Sequence, residues 1–158
     1  MDPVEAALAS TFIATLAAVT ITDIDRRLIP DRILFASAGA AIAIVAAADP
    51  VELPARIAAA ATAAGLLLVA ALLRPDGMGL GDVKLAAVMG IYLGAAIGVA
   101  LLIALALGAT AGGMILVRHG AAARKRTIPL APFLAAGGLA ALAVGDELLA
   151  WYAHSMLQ

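Results

Sequence analysis

The chain has 158 residues, 65% of them hydrophobic, with a formal net charge of −1 and no cysteine. A mean hydropathy of +1.08 is more apolar surface than one water-soluble core absorbs, so a bilayer is the solvent this composition calls for. The same figures exclude disulfides, thiolate catalysis and Cys-ligated metal sites, and they leave no global basic field to attract nucleic acid.

The first uncharged run covers 6–22 and follows Asp2 and Glu5. A secretory signal would open on positive charge, so this run reads as a retained span, and no lipidation motif accompanies it. A charged stretch at 23–32 precedes the second run, 33–48, and Asp49, Glu52 and Arg56 precede the third, 57–73. A glycine-rich charged stretch at 74–84 leads into the run 85–117. As one helix that run would reach about 50 Å at roughly 1.5 Å per residue, against a hydrocarbon core of about 30 Å. It is therefore expected to split into two short helices, with a turn between Tyr92 and Gly98 where Gly94 lies. The last run, 127–145, is followed by Trp151 and Tyr152, placed as an interfacial aromatic belt.

Charge placement tests the resulting count of six spans. Six spans collect Arg26, Arg27, Arg32, Arg74, Lys84, Arg118, Arg124, Lys125 and Arg126 on one side and leave only Arg56 on the other. Five would separate the cluster at 118–126 from the rest. The positive-inside rule thus favours six spans, cytoplasmic basic loops and both termini outside. Arg124, Lys125 and Arg126 read as topology determinants that also meet anionic lipid headgroups. His119 and His154 then fall on opposite sides and form no joint metal site. The expected fold is an all-α polytopic membrane protein of about six helices, forming a single domain over 1–158. Small residues such as Gly108, Gly112, Gly113, Gly137 and Gly138 suit close helix packing in lipid, although a GC-rich genome's bias toward Ala and Gly accounts for them equally well.

The acidic residues expected at the cytoplasmic face are Asp23, Asp25, Asp31, Asp76 and Asp82. Carboxylates at a membrane are costly, and they mark function unless they are interfacial charges paired with residues such as Arg26, Arg27 or Lys84. Asp23 ends the first span and Asp82 opens the fourth, so the topology brings both to one face. Two carboxylates in contact share one proton. One then activates water while the other hydrogen-bonds the scissile carbonyl, which is peptide hydrolysis without metal or thiol. Gly77, Gly79 and Gly81 alternate just before Asp82 and permit unusual backbone angles and close approach of an extended peptide. They do not form a phosphate cradle, because the Gly-x-x-x-x-Gly-Lys-Ser/Thr spacing is missing. A proton-coupled transporter and a non-enzymatic assembly factor are the competing readings of these carboxylates.

Three segments resemble the type IV prepilin peptidase family of Gly-x-Gly-Asp membrane aspartic proteases. The first is Asp23 followed by Ile29-Pro30-Asp31, and counting back from that tripeptide selects Asp23 over Asp25. The second is Gly77-Met78-Gly79-Leu80-Gly81-Asp82-Val83-Lys84-Leu85. The third, Ile128-Pro129-Leu130-Ala131-Pro132-Phe133, is similar to the family's Pro-Phe-Gly-Pro-Phe segment, with Leu130 and Ala131 in the variable places. The resemblance implies cleavage of prepilin or pseudopilin leaders at the cytoplasmic face of the inner membrane. Asp23 and Asp82 would be catalytic, with Gly77, Gly79, Gly81, Lys84, Pro30 and Asp31 as supporting motif residues. Long members add a Cys-rich zinc-binding region and N-methyltransferase activity. With no cysteine, this chain is expected to be the short, peptidase-only form, without metal, cofactor or methyl transfer. Asp31 is expected to cap the second span, and Lys84 to serve either as a positive-inside anchor or in tuning the carboxylates. The acidic Asp25, Asp31 and Asp76 suit a basic leader better than the Arg/Lys cluster does.

Overall fold

The computed structural model describes residues 3–26, 28–73, 78–119 and 129–156. Arg27, Arg74, Asp76, Gly77, Arg124, Lys125 and Arg126 lie outside the described residues. The described chain forms α1 (Pro3–Arg26), α2 (Asp31–Ala48), α3 (Leu53–Leu73), α4 (Leu80–Leu93), a 3-10 turn (Gly94–Ala96), α5 (Ile97–His119) and α6 (Ala131–Met156). No strand is present among the described residues. Six α-helices therefore form, as the run lengths and charges anticipate. Five stretches are long and apolar enough to cross a membrane, because α4, the turn and α5 make one run of 39 residues, Leu80–Arg118.

That run breaks at Gly94–Ala96, within the interval from Tyr92 to Gly98 where the turn was expected. Gly94 has φ 55° and ψ −131°, a conformation that a residue with a Cβ adopts only under strain. The break exposes the last carbonyls of α4, and Arg56 meets them. Its Nη1 donates to the carbonyl oxygens of Ile91 (3.2 Å) and Tyr92 (2.6 Å). Its Nε and Nη2 donate to Glu52 Oε2 at 3.0 and 2.8 Å. The one basic residue assigned to the outer side is thus a helix cap rather than a topology signal.

Close approaches of glycine show how the helices run. A Cβ on Gly90 would collide with the Ala60 backbone of α3, and one on Gly137 with the Ala100 carbonyl of α5. Gly145 faces Ala96, while Gly138 faces Met89 of α4 and Phe12 and Leu16 of α1. So α4 ascends beside α3, and α5 returns antiparallel beside α6. Of the glycines expected to pack helices, Gly137 and Gly138 do so. Gly108 makes only ordinary contact with Leu130 and Phe133, and Gly113 faces open space.

α4 is the central helix. Its residues from Val83 to Leu93 are largely buried, whereas Phe35, Leu66 and Leu102 on other helices are exposed. An outward apolar surface of that kind is what lipid covers. At 14 residues α4 is about 21 Å long at 1.5 Å per residue, shorter than the ~30 Å hydrocarbon core.

Two helices run past the charges that bound their uncharged runs. α1 continues through Asp23 to Arg26, and α6 continues through Asp146 and Glu147 to Met156. Trp151 and Tyr152 therefore stand exposed on the helix itself rather than after it. Charges forbid hydrocarbon, not helix, so a helix proceeds through them into the interface.

Candidate active site

Asp23 lies in the last turns of α1. Position 25 is two residues on and so points to a different side of the helix. Asp23 is accordingly buried, 8% exposed, while Asp25 is exposed. Asp82 is the third residue of α4 and is equally buried at 8%. Its Oδ2 accepts the backbone N–H of Gly79 at 3.3 Å, and its own N–H donates to the Gly79 carbonyl at 3.1 Å. This is the carboxylate half of a capping box, and it places Asp82 against the positive end of the helix dipole.

Both carboxylates line one cavity of about 690 Å³ at the end of the bundle, with Ile29, Pro30, Gly79 and Gly81. Asp31 and Lys84 line the same cavity.

The glycine motif works differently from its sequence reading. Gly79 has ordinary extended angles, φ −82° and ψ 150°, and a Cβ there would meet nothing closer than 3.8 Å. Gly81 is the constrained one. A Cβ would approach the side chain of Ile29 to 3.1–3.3 Å, so this glycine lets the first and second motifs touch. Neither Gly79 nor Gly81 has a positive φ; among the described residues that distinction belongs to Gly94.

The expected cap at Asp31 is not formed. Pro30 occupies the N-cap of α2 and makes no side-chain bond, while its carbonyl accepts the N–H of Ile33 and Leu34 at 3.1 and 3.4 Å. Asp31 is the first helical residue, and its side chain turns outward. Lys84 Nζ donates to both of its oxygens, at 2.7 and 2.8 Å. Lys84 thus pairs with Asp31. It ties the second motif to the first across the cavity mouth, with both side chains about half exposed.

The third segment stands apart. The Leu130 carbonyl accepts the N–H of Phe133 and Leu134, both at 3.0 Å, and starts α6. Pro132 then lines a groove with Thr20 and Ile21 of α1, outside the carboxylate cavity. This segment buttresses the helix that carries Asp23. Sequence reasoning missed Leu28, Arg32 and Leu80 in the cavity wall. Each flanks a motif residue, and that adjacency was the available signal.

Comparison with known proteins settles the family. The profile described as the type IV leader peptidase family matches residues 10–117. The chain belongs to that family. It is 35% identical over 147 residues to a prepilin leader peptidase/N-methyltransferase of Bacillus subtilis (strain 168), covering 91% of this chain and 58% of the relative. It is 40% identical over 84 residues to proteins of the same name from Aeromonas salmonicida (strain A449) and Aeromonas hydrophila, covering 52% of this chain and 28% of each relative. The chain thus spans little more than half the length of the Bacillus relative and less of the others. No solved structure matches it. Among the described residues no group of His, Cys, Asp or Glu is arranged to hold a metal ion.

Proposed function

We propose that this protein is a membrane-embedded aspartic endopeptidase that cleaves the leader peptides of prepilins or pseudopilins at the cytoplasmic face of the inner membrane. The observation that carries the reading is the convergence of two carboxylates, Asp23 and Asp82, buried to the same degree on one cavity from helices far apart in sequence. Family membership supports the substrate class. The charge bias of the sequence, which with six spans leaves every Lys and Arg except Arg56 on the side expected to carry Asp23 and Asp82, supports cytoplasmic placement and termini on the outer side.

In this mechanism the pair holds one proton. The ionised carboxylate takes a proton from water, and the resulting hydroxide attacks the scissile carbonyl carbon. The protonated partner donates a hydrogen bond to the carbonyl oxygen and stabilises the tetrahedral intermediate. Collapse breaks the C–N bond, and the proton passes to the leaving amine. Burial from bulk water strengthens each of these interactions. The competing transport reading has less support, because the described acidic residues stand toward the two ends of the bundle and none at its middle.

Co-expression with a prepilin in membranes tests the proposal. Asp23→Ala and Asp82→Ala are each expected to lower cleavage about a thousandfold or more, and Asp25→Ala to retain most of it. Full cleavage by either of the first two variants contradicts the assignment. Loss in Asp25→Ala alone moves the first carboxylate by two residues.

A further inference from the structure

The two carboxylates stand on helices that hardly touch each other. α4 packs chiefly on α3, and α1 chiefly on α2 and α6, while direct contact between α1 and α4 is sparse. Something else has to set their separation. At the cavity, Ile29 rests on Gly81. Deeper in the bundle one polar cluster joins α1, α2 and α4. Thr15 Oγ1 and Ser37 Oγ are 2.7 Å apart, Ser37 Oγ lies 3.1 Å from the Tyr92 hydroxyl, and that hydroxyl donates to the Ser37 carbonyl at 3.0 Å. All three residues are buried, at 6–8% exposure. With one proton per hydroxyl, a consistent arrangement runs from Thr15 to Ser37, from Ser37 to the Tyr92 hydroxyl, and from Tyr92 to the Ser37 carbonyl. The Tyr92 ring also stacks on Phe12 of α1, with centroids 4.9 Å apart.

We propose that the Thr15–Ser37–Tyr92 hydroxyl cluster is a positioning device that fixes the spacing of Asp23 and Asp82. It rests on these two being the working pair. The apolar side chains around the cluster hold the helices together but do not select one rotation about their axes. Directional hydrogen bonds do. Leverage makes the selection matter. Tyr92 is about 15 Å along α4 from Asp82, and Thr15 about 12 Å along α1 from Asp23, at 1.5 Å per residue. A tilt of about 4° about the cluster moves Asp82 by about 1 Å, and a 1 Å misplacement costs on the order of a hundredfold in rate. None of the three hydroxyls contributes an atom to the carboxylate cavity, so they act through the aspartates.

The absence of native cysteine permits a direct test. In a chain carrying Asp23→Cys and Asp82→Cys, bis-methanethiosulfonate linkers of graded length report the spacing of the two positions. The parent pair is expected to favour one length sharply. Adding Tyr92→Phe or Thr15→Val is expected to lower the ratio of best to worst yield about threefold. Thr15→Ser keeps the hydroxyl and is expected to keep the preference. Thr62→Val removes an α3 hydroxyl that bonds only its own helix, at 2.8 Å to the Ala58 carbonyl, and is expected to change nothing. With both aspartates in place, Tyr92→Phe is expected to lower kcat about tenfold with KM near the parent value. Unchanged length preference in Tyr92→Phe and Thr15→Val overturns the proposal, as does equal loss in Thr15→Ser and Thr15→Val. The linker readout needs no cleavage, so it stands even if the peptidase reading falls.

Discussion

The two ends of α4 handle polar groups in opposite ways. At its C-terminal end the helix is broken by Gly94, and its free carbonyls are closed by Arg56, itself paired with Glu52. Charge there is matched donor to acceptor and holds shape. At its N-terminal end Asp82 is buried beside a second carboxylate, while the nearby ammonium of Lys84 is held on Asp31 instead. Two carboxylates from helices distant in sequence are gathered there on one cavity, and that gathering marks where chemistry is to be sought.

Substitutions that treat the ends alike sharpen this contrast. The largest effect on stability is expected from Arg56→Ala, which leaves the Ile91 and Tyr92 carbonyls and the Glu52 carboxylate without their donor. Loss of about 1–3 kcal/mol is expected, read as a lower melting temperature in detergent, with kcat per folded molecule near the parent value. A lost kcat at unchanged stability would mean that the outer end takes part in the chemistry.

A smaller effect separates the two described motif glycines. Gly81→Ala presses a methyl group on Ile29 and is expected to cost about 1 kcal/mol, with a fall in cleavage, because Ile29 has to yield beside Asp82. Gly79→Ala makes only ordinary van der Waals contact, at 3.8 Å, with ordinary backbone angles and is expected to be close to neutral for folding. Equal effects would return the motif to a general need for backbone freedom.

The smallest effect is expected from Lys84→Met. Its bond to Asp31 is short but half exposed on both sides, so its loss is expected to cost under about 1 kcal/mol and to fade further in high salt. Thermal melts at low and high ionic strength check this.

Much of the architecture was legible because lipid imposes a simple rule on sequence. Uncharged runs gave the helices, and the length of the fourth run demanded a break. The candidate carboxylates were legible because the motifs around Asp23 and Asp82 are local in sequence. What escaped is contact between distant segments. Asp31 looks like a cap until Lys84, 53 residues away, is seen to hold it. Thr15, Ser37 and Tyr92 are isolated hydroxyls in apolar runs, and no periodicity announces that they meet. Arg56 counts as an exception to charge bias until the Gly94 break supplies the carbonyls it caps. Helix ends lie beyond the uncharged runs for a related reason, since hydropathy marks where hydrocarbon stops, whereas α1 and α6 continue as helices beyond it.

The central claim is that Asp23 and Asp82 act as one unit. The most direct measurement compares Asp23→Asn, Asp82→Asn and the double variant in purified protein cleaving a prepilin substrate. Each change keeps the side chain's shape and removes its ionisation. Residues acting as a unit are grossly non-additive, so each single variant is expected to fall about a thousandfold or more and the double variant no further. Parent-level cleavage by either single variant, or two partial losses that multiply in the double variant, would contradict it.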